Sequence, residues 1–98
     1  MEEKKQILEE FVADMEKVFE TSLKKIILYG SYARGDFKIN SDIDIMILLD
    51  LDDMLIKNYR HELSGMTYDF NEEYNIDIKP IAKKQETLWT MGRCISIL

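Results

Sequence analysis

Three aspartates occupy positions at which their carboxylates could act together. Asp42 and Asp44 lie two residues apart at the start of an apolar run, and Asp77 lies between Ile76 and Ile78 in a second run. Side chains two residues apart on a β-strand point to the same face, so Asp42 and Asp44 are predicted to share one. Neighbouring carboxylates repel each other, and a hard cation such as Mg²⁺ relieves that repulsion. If the two strands are neighbours, three carboxylates converge; the alternative is the solvent face of a half-buried sheet.

A second motif, Gly-Ser-Tyr-Ala-Arg-Gly-Asp over residues 30–36, follows the first short apolar run of the chain. A Gly-Ser pair at the end of a strand lets a ligand approach the backbone closely, and its N–H groups favour anionic oxygens. Gly30 and Ser31 are therefore candidate phosphate-binding residues. Taken alone, a Gly-Ser pair indicates only a turn.

Two cations beside these motifs each allow two interpretations. Arg34 either lies near phosphate or is tied to Asp36 and holds the turn. Lys79 shares a strand face with Asp77 by alternation, and it either contacts a phosphate or balances the carboxylates.

Helices and strands alternate along the chain in an order that could bring the motifs together. Apolar spacings of three and four predict amphipathic helices, and short β-branched runs predict strands. The predicted elements are a helix over 3–20, strands over 24–29 and 42–49, a helix from Asp52 or Asp53 to residue 74, and a strand over 75–81. Pro80 predicts that the last strand lies at a sheet edge or ends there. This order predicts an α/β fold, a small mixed β-sheet with two long helices packed on it.

The composition describes one small acidic domain. The 98 residues predict a single domain over 1–98, and 13 basic against 19 acidic residues give a net charge of −6. Polynucleotide binding takes a basic face, so direct nucleic-acid binding is not expected, whereas a nucleotide held through a divalent cation is compatible with this charge. The single cysteine, the charged first residues and the lack of a long apolar run predict a cytoplasmic protein without a membrane segment.

Taken together, the motifs resemble those of a known family. Gly30 and Ser31, ten intervening residues, the sequence Asp42-Ile-Asp44 and the later Asp77 are similar to the nucleotidyltransferase superfamily that includes DNA polymerase β. The string over 30–36, followed by Ser-Asp-Ile-Asp, resembles its minimal nucleotidyltransferase (MNT) branch. The chain end over 87–98 departs from the MNT pattern, which leaves partner contacts and homo- or hetero-oligomers open there.

The resemblance implies Mg²⁺-dependent transfer of a nucleotide from a nucleoside triphosphate. It implies that Asp42, Asp44 and Asp77 are the catalytic ligands of two Mg²⁺ ions, that Asp77 helps to take the proton from the incoming hydroxyl, and that Gly30 and Ser31 hold the outer phosphates. Small MNT proteins commonly accompany a HEPN-domain RNase toxin, so the resemblance implies transfer of AMP from ATP to a tyrosine of that toxin and an antitoxin role. Two other functions stay open, an antitoxin that neutralises a HEPN partner by contact alone and a small-molecule nucleotidyltransferase.

Overall fold

The computed structural model describes residues 2–30, 42–86 and 95–97. Within these ranges the helices are α1 (Glu2–Phe19) and α2 (Asp53–Tyr74), and the strands are β1 (Leu23–Tyr29), β2 (Ile43–Leu49), β3 (Ile78–Lys84) and β4 (Ile95–Ser96). A 3-10 turn, Glu20–Ser22, joins α1 to β1. No helix in the described part of the chain is long and apolar enough to cross a membrane.

The strands form one mixed sheet in the order β3-β2-β1-β4. β1 runs antiparallel to β2 and to β4, whereas β3 runs parallel to β2. A parallel pair needs a long crossover connection, and α2 provides it. The predicted mixed sheet with two long helices is confirmed.

The main core lies between the helices and one face of the sheet. It contains Phe11 and Met15 of α1, Phe70 of α2, and alternate residues of β1 and β2 such as Ile26 and Ile47. The rings of Phe11 and Phe70 meet edge to face at 5.4 Å, which joins the helices over the sheet. Burial of this shared surface, rather than helix propensity, fixes where α1 and α2 lie.

The opposite face of the sheet carries a smaller buried cluster. Ile27, Met46 and Leu48 are only 3–5% exposed, and Tyr29 packs against them. Since Ile45 and Ile47 of β2 are also buried, β2 is covered on both faces, as its apolar run predicts.

The connection from α2 to β3 differs from the prediction. The helix begins as expected at Asp52, whose side chain accepts a hydrogen bond from the backbone N–H of Leu55 at 2.9 Å. At its other end Asn75 takes a left-handed conformation, with φ of 53°, and its N–H donates to the carbonyl of Asn71. Residues 75–77 are therefore used to leave the helix, and the strand begins at Ile78. The prediction that Asp77 lies inside the strand is wrong; Asp77 immediately precedes it.

The outer side of β3 is an edge of the described sheet. The carbonyl of Asp77 accepts a hydrogen bond from the N–H of Ile43 in β2 at 2.8 Å. Odd-numbered residues of β3 therefore direct their backbone groups towards β2, and even-numbered residues direct theirs outward. Asn71 occupies the first of these positions, accepting from the Ile78 N–H at 2.9 Å and donating to its carbonyl at 3.1 Å. Pro80, the next outward residue, has no N–H to leave unpaired, which confirms its predicted place at an edge.

Candidate active site

Three strand ends meet at one end of the sheet and carry the candidate residues. Across the sheet, Tyr29 of β1 is opposite Asp44 of β2, and Asp44 is opposite Lys79 of β3. Asp42 and Asp77 immediately precede the parallel strands β2 and β3, whose starts therefore lie side by side. We call Gly30, Asp42, Asp44, Asp77 and Lys79 the strand-end site.

Asp42, Asp77 and Lys79 form a connected group. The Lys79 ammonium lies 3.0 Å from Asp42 Oδ2, and both side chains are about half exposed, at 58% and 44%. This contact, helped by a hydrogen bond with Asp77, lowers the pKa of Asp42. The shared hydrogen bond with Asp42, followed by partial burial, raises the pKa of Asp77 instead. Asp77 is therefore the carboxyl of the pair that keeps a proton to higher pH, and Lys79 balances Asp42 rather than standing apart from the carboxylates.

Gly30 and Asp44 approach each other closely on the neighbouring strands. Gly30 has a φ of +77°, and a side chain built on it would lie 3.2 Å from Asp44 Cγ and inside contact distance of Asp44 Oδ2. Tyr29 is opposite Asp44 on the neighbouring strand, and burial, followed by the charge of Asp44, raises the pKa of its phenol. Glycine is required at position 30 both for its backbone conformation and for the room it leaves for Asp44.

The donor groups of the site are chemically suited to a divalent cation. Two carboxyls in contact repel each other unless a proton or a cation lies between them, and here Lys79 is the cation that contacts Asp42. Mg²⁺ prefers carboxylate oxygens of this kind. Within residues 2–30, 42–86 and 95–97, no group of three Asp, Glu, His or Cys side chains is arranged to hold a metal ion. The carboxyls of Asp42 and Asp77 are linked as a pair by a hydrogen bond. Ser31 and Arg34 lie outside the described residues.

Asn71 supports the site, although the sequence analysis did not single it out. Its side chain holds both backbone groups of Ile78, the residue that follows Asp77. Asparagine is unfavourable inside a helix because its amide competes for backbone groups. An asparagine one turn before the end of α2 was therefore the sequence feature that indicated a side chain bonded to the backbone. Asn71 thus fixes the position from which Asp77 reaches Asp42.

Comparison with known proteins agrees with this arrangement. The family described as "Nucleotidyltransferase domain" matches residues 5–96. This chain belongs to the nucleotidyltransferase domain family. The match covers α1 from residue 5 onward, all of α2, all the described strands and the whole strand-end site. The fold is consistent with a minimal nucleotidyltransferase.

Two relatives from Methanocaldococcus jannaschii carry a more specific name. "Putative protein adenylyltransferase MJ0141" is 32% identical over 82% of this chain and 79% of that protein. "Putative protein adenylyltransferase MJ0604" is 52% identical over 53% of this chain, and the match spans only 51% of that relative. This chain is therefore similar to proteins named as adenylyltransferases that act on proteins.

A solved structure, "Crystal structure of the toxin-antitoxin with AMP-PNP", is 27% identical to this nucleotidyltransferase domain. The likeness covers 72% of this chain and 53% of that chain, with a TM-score of 0.49. The family assignment rests on the sequence matches.

Proposed function

We propose that this nucleotidyltransferase-domain protein transfers AMP from ATP to a tyrosine hydroxyl of a HEPN RNase toxin and thereby acts as an antitoxin. The observation that carries the proposal is the contact between Asp42 and Asp77, balanced by Lys79 and adjoining the close approach of Gly30 to Asp44. The names of the relatives support a protein as acceptor. The HEPN toxin as partner follows from the resemblance to MNT proteins.

Asp42, Asp44 and Asp77 are the residues that would hold Mg²⁺. The bound ion would neutralise the charge that develops at the α-phosphate and hold the reacting groups in line. In the overall reaction a bond forms between the acceptor oxygen and the α-phosphorus, the bond to the outer phosphates breaks, and pyrophosphate and a proton are released.

The chain's own residues would divide the remaining work. Asp77, whose pKa is raised, is the stronger base of the contacting pair and would accept the proton of the incoming hydroxyl. Lys79 would keep Asp42 ionised and in place. Gly30, without a side chain, would let the phosphates approach the backbone beside Asp44, together with Ser31 and with Arg34 at the phosphate.

The test is a transfer assay with each α-labelled nucleoside triphosphate, Mg²⁺ and the protein encoded beside this chain. We expect label from ATP on a tyrosine of that protein, and loss of at least about 100-fold in rate for Asp42→Asn and Asp44→Asn because a ligand charge is removed. Asp69→Asn, an exposed change on α2, is the matched control and should keep the wild-type rate.

Three results would contradict the proposal. If no macromolecule carries label, the proposed transfer to a protein is wrong. If Asp42→Asn and Asp44→Asn still protected cells from the toxin as well as the wild type does, protection would be by contact alone. Label appearing only on a small hydroxyl compound would point to a small-molecule transferase.

A further inference from the structure

A groove beside the strand-end site is built by α2 and the edge strand β3. Its volume is about 470 Å³, and one of its walls is a stripe of α2 that includes Arg60, Ser64, Thr67 and Tyr68. The other wall is β3 from Ile78 to Lys83. The spacing of the α2 residues, three and four apart, makes the groove run along the helix.

The charged residues that line the groove are all cations. They are Arg60, Lys79 and Lys83, in a chain whose net charge is −6. Because the Lys79 ammonium is paired with Asp42, Arg60 and Lys83 supply the charge that an incoming ligand would meet. A cationic strip on an acidic protein favours ligands with negative charge and disfavours basic ones. Lys79 lines the groove and also contacts Asp42, so this residue is common to the groove and the strand-end site.

The groove also contains one buried polar side chain without a hydrogen-bond partner among the described residues. Thr67 is only 6% exposed, and its hydroxyl has no hydrogen-bond partner among the described residues. A buried hydroxyl without a partner is unfavourable, so a ligand that pairs with it gains affinity. Next to it Tyr68 is 65% exposed and offers both a ring and a hydroxyl. These groups suit a ligand that presents main-chain amides and side-chain oxygens, as an extended polypeptide does.

The geometry of the transfer reaction indicates from which side of the strand-end site the acceptor hydroxyl enters. If the leaving phosphates lie at Gly30, after β1, an in-line displacement brings the attacking hydroxyl from the opposite side, that of β3. Asp77 precedes β3, and the groove lies beyond β3. An acceptor that enters along the groove would therefore reach the base before it reaches the phosphates.

We propose that the α2–β3 groove binds an extended, acidic polypeptide segment of the acceptor protein, the segment that carries the hydroxyl to Asp77. This inference rests on the proposed function. The hydroxyl oxygen bonds to the α-phosphorus as the bond to pyrophosphate breaks, and its proton passes to Asp77 and then to solvent. Recognition is through side chains, because Asn71 and Pro80 leave the adjoining edge of β3 poor in free N–H donors.

The test measures binding without nucleotide or metal, so it does not depend on catalysis. The probe is a fluorescein-labelled peptide, Glu-Glu-Tyr-Glu-Glu, followed by fluorescence anisotropy, with Lys-Lys-Tyr-Lys-Lys as the control peptide. We expect saturable binding of the acidic peptide alone, and a loss of about tenfold in affinity for the double variant Arg60→Glu/Lys83→Glu. Lys17→Glu/Lys24→Glu changes the net charge equally at exposed positions outside the groove and should alter affinity by less than about twofold.

Absence of binding, or equal losses in both double variants, would overturn the groove assignment. If the charge reversal unfolds the chain, the isosteric Thr67→Val variant decides: lower affinity supports the assignment, and unchanged affinity overturns it. If the peptide binds at the groove but no label is transferred, the proposed function is wrong and the groove assignment stands. If label is transferred to the acceptor protein and Arg60→Glu/Lys83→Glu does not change that transfer, the groove assignment is wrong and the proposed function stands.

Discussion

The close approach of Gly30 to Asp44 makes the substitution Gly30→Ala the sharpest test of the site's geometry. A left-handed φ of +77° is unfavourable for alanine by about 1–2 kcal/mol. The added methyl would lie 3.2 Å from Asp44 Cγ and closer still to Oδ2, so Asp44 must leave its rotamer, at about 0.5–1.5 kcal/mol. We expect unfolding free energy to fall by about 2–3 kcal/mol, which lowers Tm by about 10–20 °C in a domain of this size.

Gly65→Ala is the matched control for this substitution. A methyl at position 65, inside α2, meets no atom within 4 Å. Alanine is the better helix former, so this change should stabilise the protein by about 0.5–1 kcal/mol. Urea unfolding followed by circular dichroism measures both variants, which are predicted to differ in sign.

Removing the Asp44 carboxylate separates the two costs of Gly30→Ala. In an Asp44→Ala background the two close contacts, to Oδ2 and Cγ, are removed and Cβ lies at an ordinary 3.4 Å, so the main remaining cost is that of the backbone conformation. The double-mutant cycle should then give a coupling of about 1 kcal/mol. The close contact with Asp44 is contradicted if Gly30→Ala lowers the free energy of unfolding by less than about 0.5 kcal/mol, or by the same amount in both backgrounds.

Two further predictions concern the packing that supports the site. Asn71→Ala leaves both backbone groups of Ile78 without their partner, so urea unfolding should show a loss of about 1–3 kcal/mol, and an unchanged midpoint would contradict the role of this side chain. Tyr74 donates a hydrogen bond to the Glu10 carboxylate, which raises the pKa of the phenol from its usual 10 to about 12. Because the folded pKa is the higher one, this contact stabilises the protein fully below pH 10 and is lost as pH rises towards 12. Urea midpoints should fall more between pH 10 and 12 in the wild type than in Tyr74→Phe, and equal falls would argue against the contact.

Strand β2 shows how much of the site could be predicted from the sequence. Its apolar run predicted burial on both faces, and the structure confirms this burial. Its alternating start predicted a common face for Asp42 and Asp44, which stays a prediction because Asp42 immediately precedes the strand. Those features depend on residues near one another in the chain, and the pleat of a strand turns them directly into geometry. The same local reasoning correctly predicted Asp52 as a candidate cap of α2.

The start of β3 shows where the sequence was not sufficient. Alternation of Ile76, Asp77 and Ile78 predicted a strand, but the left-handed turn at Asn75 and the amide of Asn71 hold these residues outside it. Those contacts form only when α2 and β3 are already packed together. Alternation likewise predicted the strand face on which Lys79 lies. It did not predict that Lys79 contacts Asp42, because that contact depends on the register of β3 against β2.

The edge of β3 also bears on self-association of the protein. Unpaired edge strands are templates on which another chain can add a strand and begin aggregation. Among the described residues, the first outward N–H is already bonded to Asn71 and the second outward position is Pro80, so Ala82 is the first outward position whose N–H is neither bonded to Asn71 nor absent. Fibril-like growth along β3 would have to start in the half of the strand remote from Asp77. The end of the sheet that carries the carboxylates can therefore stay open to a substrate without inviting strand addition from another copy.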